Sequence, residues 1–148
     1  MNLAILFISI FIVVFLLLWY FFIFFCHTYN NLRFLNSLKI LNKMIKSHTI
    51  GRIYSANIFA GQNLLEWRKK VNYKNTVSSQ KKLGGGVLLE LSHEIDYVLW
   101  IFGKFRKIFC NLDKISNLKI NVEDICQILL FSIKKYTVNI NLDFCRKD

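Results

Sequence analysis

Residues 84 to 103 restrict what this chain can fold into more than any other stretch: Gly-Gly-Gly-Val-Leu-Leu-Glu-Leu-Ser-His-Glu-Ile-Asp-Tyr-Val-Leu-Trp-Ile-Phe-Gly. Three glycines lead in and one closes, so the pattern predicts a single helix from Val87 to Phe102, stopped at Gly103. Residues three apart on a helix share a face. Glu90, His93 and Asp96 would then stand together on one side, while Leu88, Leu89, Ile95 and Leu99 turn toward a core. An imidazole beside two carboxylates suits proton transfer to or from a hydroxyl or carbonyl, with Glu90 placed to orient His93. A plain polar stripe on an amphipathic helix is the competing reading.

Two familiar motifs are excluded here. His93-Glu94 is followed by Tyr97 where the second histidine of a zinc-protease H-E-x-x-H would stand, and the glycine triplet completes neither G-x-G-x-x-G nor a P-loop. The glycines are expected to let backbone pack closely at the mouth of the helix.

No Asp, Glu, Lys or Arg precedes Arg33, and residues 3–26 are almost wholly apolar. As a helix this run would be roughly 36 Å long, enough to cross a bilayer core of about 30 Å. Residues 1–28 are therefore expected to form a transmembrane helix. The basic residues that follow, Arg33, Lys39, Lys43, Lys46 and Arg52, would keep the rest of the chain on the cytoplasmic side. A buried core element is the alternative. A cleaved signal peptide fits poorly, because there is no basic n-region and no small-residue cleavage site.

The 148 residues allow one domain, here 29–148, besides that segment. The net charge of +11 is carried by scattered lysines such as Lys69, Lys70, Lys81, Lys82, Lys134 and Lys135, with no nucleic-acid motif around them, so no nucleic-acid partner is expected. Cys26, Cys110, Cys126 and Cys145 form no C-x-x-C pair and no metal-like group with a histidine. They read as reduced, buried packing residues of a cytoplasmic domain, and no metal site is expected.

Phe34, Leu38, Leu41 and Ile45 recur at helical spacing and predict an amphipathic helix ending near Thr49–Gly51. A strand follows from Ile53 to Ala60, with Tyr54, Ala56 and Ile58 on one face. Residues 61–83 read as an irregular loop carrying Trp67, Arg68 and Tyr73; loops this long usually bind something. With Asp96 those three are the candidate substrate-binding residues. Strands at Phe105–Leu112, Ile125–Ile133 and Tyr136–Phe144 complete the pattern, the last with Tyr136, Val138, Ile140 and Leu142 facing the core. The Lys134-Lys135 turn is too short for a parallel connection. The expected fold is α+β: a hydrophobic N-terminal helix, then a mainly antiparallel sheet covered by helices.

Tyr29–Phe34, Ile50–Ala56, Gly61-Gln62 with Trp67-Arg68, Gly84–Gly103 and the strand end Leu142-Asp143-Phe144 resemble, in order, the C-terminal half of Gfo/Idh/MocA oxidoreductases. The resemblance spans roughly residues 26–148. It implies the substrate-side α+β domain of a dehydrogenase that uses NAD or NADP on sugars, cyclitols or related polyols, often oligomeric through its sheet. His93 matches the family's catalytic histidine, and Glu90 stands where an aspartate is usual, three positions away rather than the common four.

The family's glycine-rich Rossmann turn and its Glu-Lys-Pro lysine have no counterpart in this sequence, so no residue is assigned to cofactor binding. Family sheets also continue past the Leu-Asp-Phe strand. The resulting expectation is a truncated oxidoreductase, inactive alone, that needs a Rossmann-domain partner chain. The alternative is a membrane-anchored binding or scaffold protein, held through residues 3–26, that reuses the domain.

Overall fold

The computed structural model describes residues 31–67 and 70–147. The expected transmembrane segment at 3–26 lies outside them, as do Cys26, Arg68 and Lys69. Among the described residues no helix is long and apolar enough to cross a membrane.

A 3-10 turn at Asn31–Phe34 leads into helix α1, Asn36–Lys46. Leu38 and Ile45 pack on the core with Asn42 buried between them, whereas Phe34 is 72% exposed and Leu41 is also exposed, so the buried stripe is rotated from the expected one. The helix ends before Gly51. His48 takes the left-handed conformation at φ 57°, and the amides of His48 and Thr49 return to the carbonyls of Ile45 and Met44. That is a Schellman ending built on histidine instead of glycine.

Strand β1 runs Ser55–Gly61. The stretch expected to be an irregular loop holds a one-turn helix α2, Leu64–Trp67, and three 3-10 turns at Tyr73–Asn75, Val77–Ser79 and Lys81–Leu83. The predicted long helix is broken. It consists of α3, Val87–Glu90, and α4, Ser92–Phe102, separated at Leu91 by a residue at φ −104°, ψ 21°. The break shifts the helical phase. Val87, Leu91, Val98, Ile101 and Phe102 are the buried residues, while Leu89 and Leu99, expected in the core, are exposed. Gly103 ends α4 at φ 80°, as its position predicts.

Strands β2 (Phe105–Asp113), β3 (Ile125–Ser132) and β4 (Thr137–Asp143) join β1 in a four-stranded sheet of order β1-β4-β3-β2. β2–β3 and β3–β4 are antiparallel, but β1 pairs with β4 in parallel, Ser55 opposite Thr137 through Gly61 opposite Asp143. The sheet is therefore mixed rather than mainly antiparallel. Tight turns fix the direction only of neighbours in sequence, and β1 reaches β4 by the long crossover that parallel pairing requires.

One sheet face carries Cys126, Ile128 and Leu130 from β3 and Val138, Ile140 and Leu142 from β4, all buried under α3 and α4 together with Tyr136 and Phe144. The predicted alternation of the last strand is seen in full. Each such aliphatic side chain contributes roughly 1.5–3 kcal/mol on burial. Register puts Ile108, Cys110 and Leu112 of β2 on that same face, yet all three are exposed because the helical layer ends over β3.

Of the described cysteines only Cys126 is buried; Cys110 and Cys145 are exposed free thiols, against expectation. The open face carries Asn139 and Asn141 beside Phe59, Leu129, Phe109 and Phe131, the last two in edge-to-face contact at 6.0 Å.

Candidate functional site

The glycine triplet creates the site's framework by close approach. A side chain at Gly85 would meet the Val77 carbonyl oxygen at 2.1 Å, and one at Gly86 would meet Glu123 Oε1 at 2.2 Å. Gly86 also sits at φ 120°, a conformation reserved for glycine. The 77–79 turn and Glu123 are thereby drawn against the start of α3. Gly85 N–H donates to the Gln80 carbonyl, Gly86 N–H to the Ser78 carbonyl, and Val87 N–H to the Glu123 carbonyl, while Leu88 N–H donates to Glu123 Oε1 at 3.3 Å. A carboxylate at a helix N-terminus satisfies donors that would otherwise be orphaned.

That packing fixes Glu90. Ser78, itself buried, donates its hydroxyl to Glu90 Oε1 at 2.8 Å. Ser78 also closes, with Leu64, Trp67, Tyr73 and Thr76, a patch that leaves no room for a water molecule. Trp67 leans on Phe144, ring centres 6.1 Å apart, and the Tyr73 hydroxyl accepts the Lys119 amide at 3.3 Å. On its outer side Tyr73 borders a depression of about 290 Å³ with Asn63, Leu65, Ser116 and Leu118. Trp67, Tyr73 and Glu90 are thus linked through Ser78. Arg68 lies outside the described residues.

His93, on the first turn of α4, has Nε2 3.5 Å from Glu94 Oε1, its side chain 31% exposed. The carboxylate beside it is therefore that of Glu94, next to it in sequence, while Glu90 is engaged by Ser78. Glu94 also acts on the Tyr97 phenol. Burial first, and then Glu94, raise the Tyr97 pKa well above the ordinary tyrosine range, so the phenol stays protonated. Asp96 is taken up differently: Arg33 Nε donates to Asp96 Oδ2 at 2.6 Å, and Nη2 holds Oδ1. This fork clamps the first 3-10 turn to α4. The three polar residues read as one wall consequently have three different partners.

Ser78, Glu94, Arg33 and Glu123 were not singled out from the sequence. Ser78, Arg33 and Glu123 act through contacts distant in sequence, and the only local signal was the charge of Glu94 beside His93.

Among the described residues no group of three or more His, Cys, Asp or Glu side chains could hold a metal ion. The start of α3 does not suit the pyrophosphate of a nicotinamide dinucleotide either. That group needs free amides at a helix N-terminus, and the amides of residues 85–88 are already paired, two of them to Glu123, whose carboxylate would repel a phosphate.

A family model described as the GFO/IDH/MocA C-terminal domain matches residues 38–147. No curated protein matches the sequence. Solved structures share the fold. An oxidoreductase from Thermotoga maritima is 18% identical, with TM-score 0.67 over 80% of this chain and 36% of its own. The WlbA dehydrogenase of Bordetella pertussis, solved with NADH and UDP-GlcNAcA, is 18% identical, with TM-score 0.66 over 79% of this chain and 33% of its own. An oxidoreductase from Agrobacterium radiobacter, solved with NAD+, L-tartaric acid and magnesium, is 16% identical, with TM-score 0.65 over 80% and 33%. This chain spans about a third of the length of each. With that domain matched over most of its described length, the chain belongs to the Gfo/Idh/MocA family through the family's C-terminal domain.

Proposed function

We propose that this domain is the substrate-facing half of a nicotinamide-dependent dehydrogenase for a sugar or related polyol, in which His93 exchanges a proton with the substrate hydroxyl. The observation that carries the reading is the half-exposed imidazole on the first turn of α4, backed by Glu94 3.5 Å away. Alcohol oxidation needs a group that accepts the hydroxyl proton near neutral pH, and imidazole is suited to it. Glu90, immobilised by Ser78, offers an acceptor to a neighbouring hydroxyl, and Trp67, Arg68, Tyr73 and Asp96 complete the proposed substrate contacts.

Family membership supports this assignment, as does the sugar nucleotide bound by the Bordetella pertussis relative. NAD or NADP would serve as hydride acceptor, held outside the described residues by a Rossmann domain; the work of this domain is binding, orientation and proton transfer. Calorimetry of the full chain should therefore give no micromolar binding of NADH or NADPH. Mixed with a Rossmann-domain partner, it should turn over a polyol, and His93→Asn should lower kcat by roughly 10²–10⁴. Unaided dinucleotide binding with sugar oxidation would overturn the half-enzyme reading. Unchanged turnover by His93→Asn would remove the role given to His93.

A further inference from the structure

A second cavity, of about 690 Å³, lies at the far end of α4, between the C-terminal ends of α1 and α4 and the β3–β4 turn. His93 and Phe102 are nine residues apart on α4, so this cavity is about 13 Å along the helix from the proposed proton-transfer group. Its size falls within the range of about 300–1,000 Å³ common for small-molecule sites.

The lining has two parts. Ile45, Ile53, Trp100, Ile101, Phe102 and Ile133 give an apolar floor, steadied by the Tyr136 hydroxyl donating to the Phe102 carbonyl. Lys46, Arg52, Lys104 and Lys134 form the rim with His48, and the lining includes no aspartate or glutamate. Among the described residues none of these four cations makes an ion pair with a carboxylate. Arg52 stacks on the Tyr54 ring at 5.1 Å, a contact through the guanidinium face that leaves its edge donors available.

Helix dipoles oppose an anion here, since two C-termini each present about half a negative charge. That term is smaller than the rim. Four full charges outweigh it, and amides of Ser47, His48, Thr49 and Gly103 already take up end carbonyls of the two helices.

We propose that this cavity binds a small soluble organic anion, a phosphate ester or carboxylate on an aromatic or aliphatic body, the body on the Ile45–Trp100–Ile133 floor and the anion among Lys46, Arg52, Lys104 and Lys134. Neither half of the lining suffices alone: exposed lysines hold a bare anion weakly in water, and the floor does not select for charge.

The test is titration of the full chain with 1-naphthyl phosphate, 1-naphthol and inorganic phosphate, followed by Trp fluorescence and calorimetry. The ester should bind at least roughly tenfold tighter than either fragment, and weaken as salt is raised. The double variant Lys104→Gln with Lys134→Gln should lose roughly tenfold in affinity, whereas Lys81→Gln with Lys82→Gln, the same charge removed from an exposed turn elsewhere, should lose none. All four positions are exposed, and circular dichroism checks that each variant is folded. Equal binding of naphthol and its phosphate would overturn the proposal. So would equal losses in the two double variants, or binding only to phosphatidic acid vesicles and not to the soluble ester.

Discussion

Cys126 shows how one residue ties core packing to pH. It is fully buried on the covered face of β3, and burial, with the neighbouring Cys110 thiol next in importance, pushes its pKa from 9.0 up to about 12. Between those values the folded chain keeps a proton that the unfolded chain has released, so stability is intact below about pH 9 and falls as pH rises above it. Urea midpoints followed from pH 7.5 to 10 should decline only above about 9, and Cys126→Ala should flatten that decline. At pH 8, Cys110 should react with a thiol reagent well before Cys126. Residue identities in the sequence pointed correctly to a glycine triplet needed for close packing. What they withheld was partnership: Asp96 looks like a free carboxylate until Arg33, far upstream, is brought across it.

At the scale of elements, the joint between the glycine triplet and α3 depends on Glu123, a residue of the loop before β3, one turn ahead of the Leu91 break that makes the expected single helix two. Gly86→Ala would force a side chain onto the Glu123 carboxylate at a backbone conformation that only glycine tolerates. The expected cost is roughly 1–3 kcal/mol of stability, read as a lower urea midpoint with an unchanged slope. The helices, the β3–β4 hairpin and the buried set of β4 were legible because each is announced by local periodicity. The break at Leu91 was not, since its flanks are equally apolar and a helix-compatible sequence continues through it. Asn42, buried where Leu41 was expected, reflects the same limit: periodicity predicts a stripe but not which edge of it meets the core.

For the whole molecule, the sheet is unevenly covered, with β4 and β3 under helices and β2 exposed along nearly its whole length. Hydrogen exchange should follow that order: amides of Val138, Ile140 and Leu142 slowest, at the global unfolding limit, and those of β2 released by local opening. Uniform protection across all four strands would contradict the uneven layer. Fold class was readable from the succession of periods along the chain. The mixed sheet was not, because no residue in β1 records that its neighbour lies at the other end of the domain.

That parallel pairing also dictates an order of events. Among the described strands β1 leaves the ribosome first, yet its partner there is β4, so it must wait through the synthesis of both helices of the split pair and two strands. The β3–β4 hairpin closes locally and quickly; the β1–β4 contact adds a large loop-closure cost and raises the contact order. Nascent β1 is therefore an unprotected strand until β4 emerges. Its small and polar members Ser55, Ala56, Asn57, Ala60 and Gly61 leave only Ile58 and Phe59 as large apolar groups, a composition that keeps a waiting strand from finding the wrong mate.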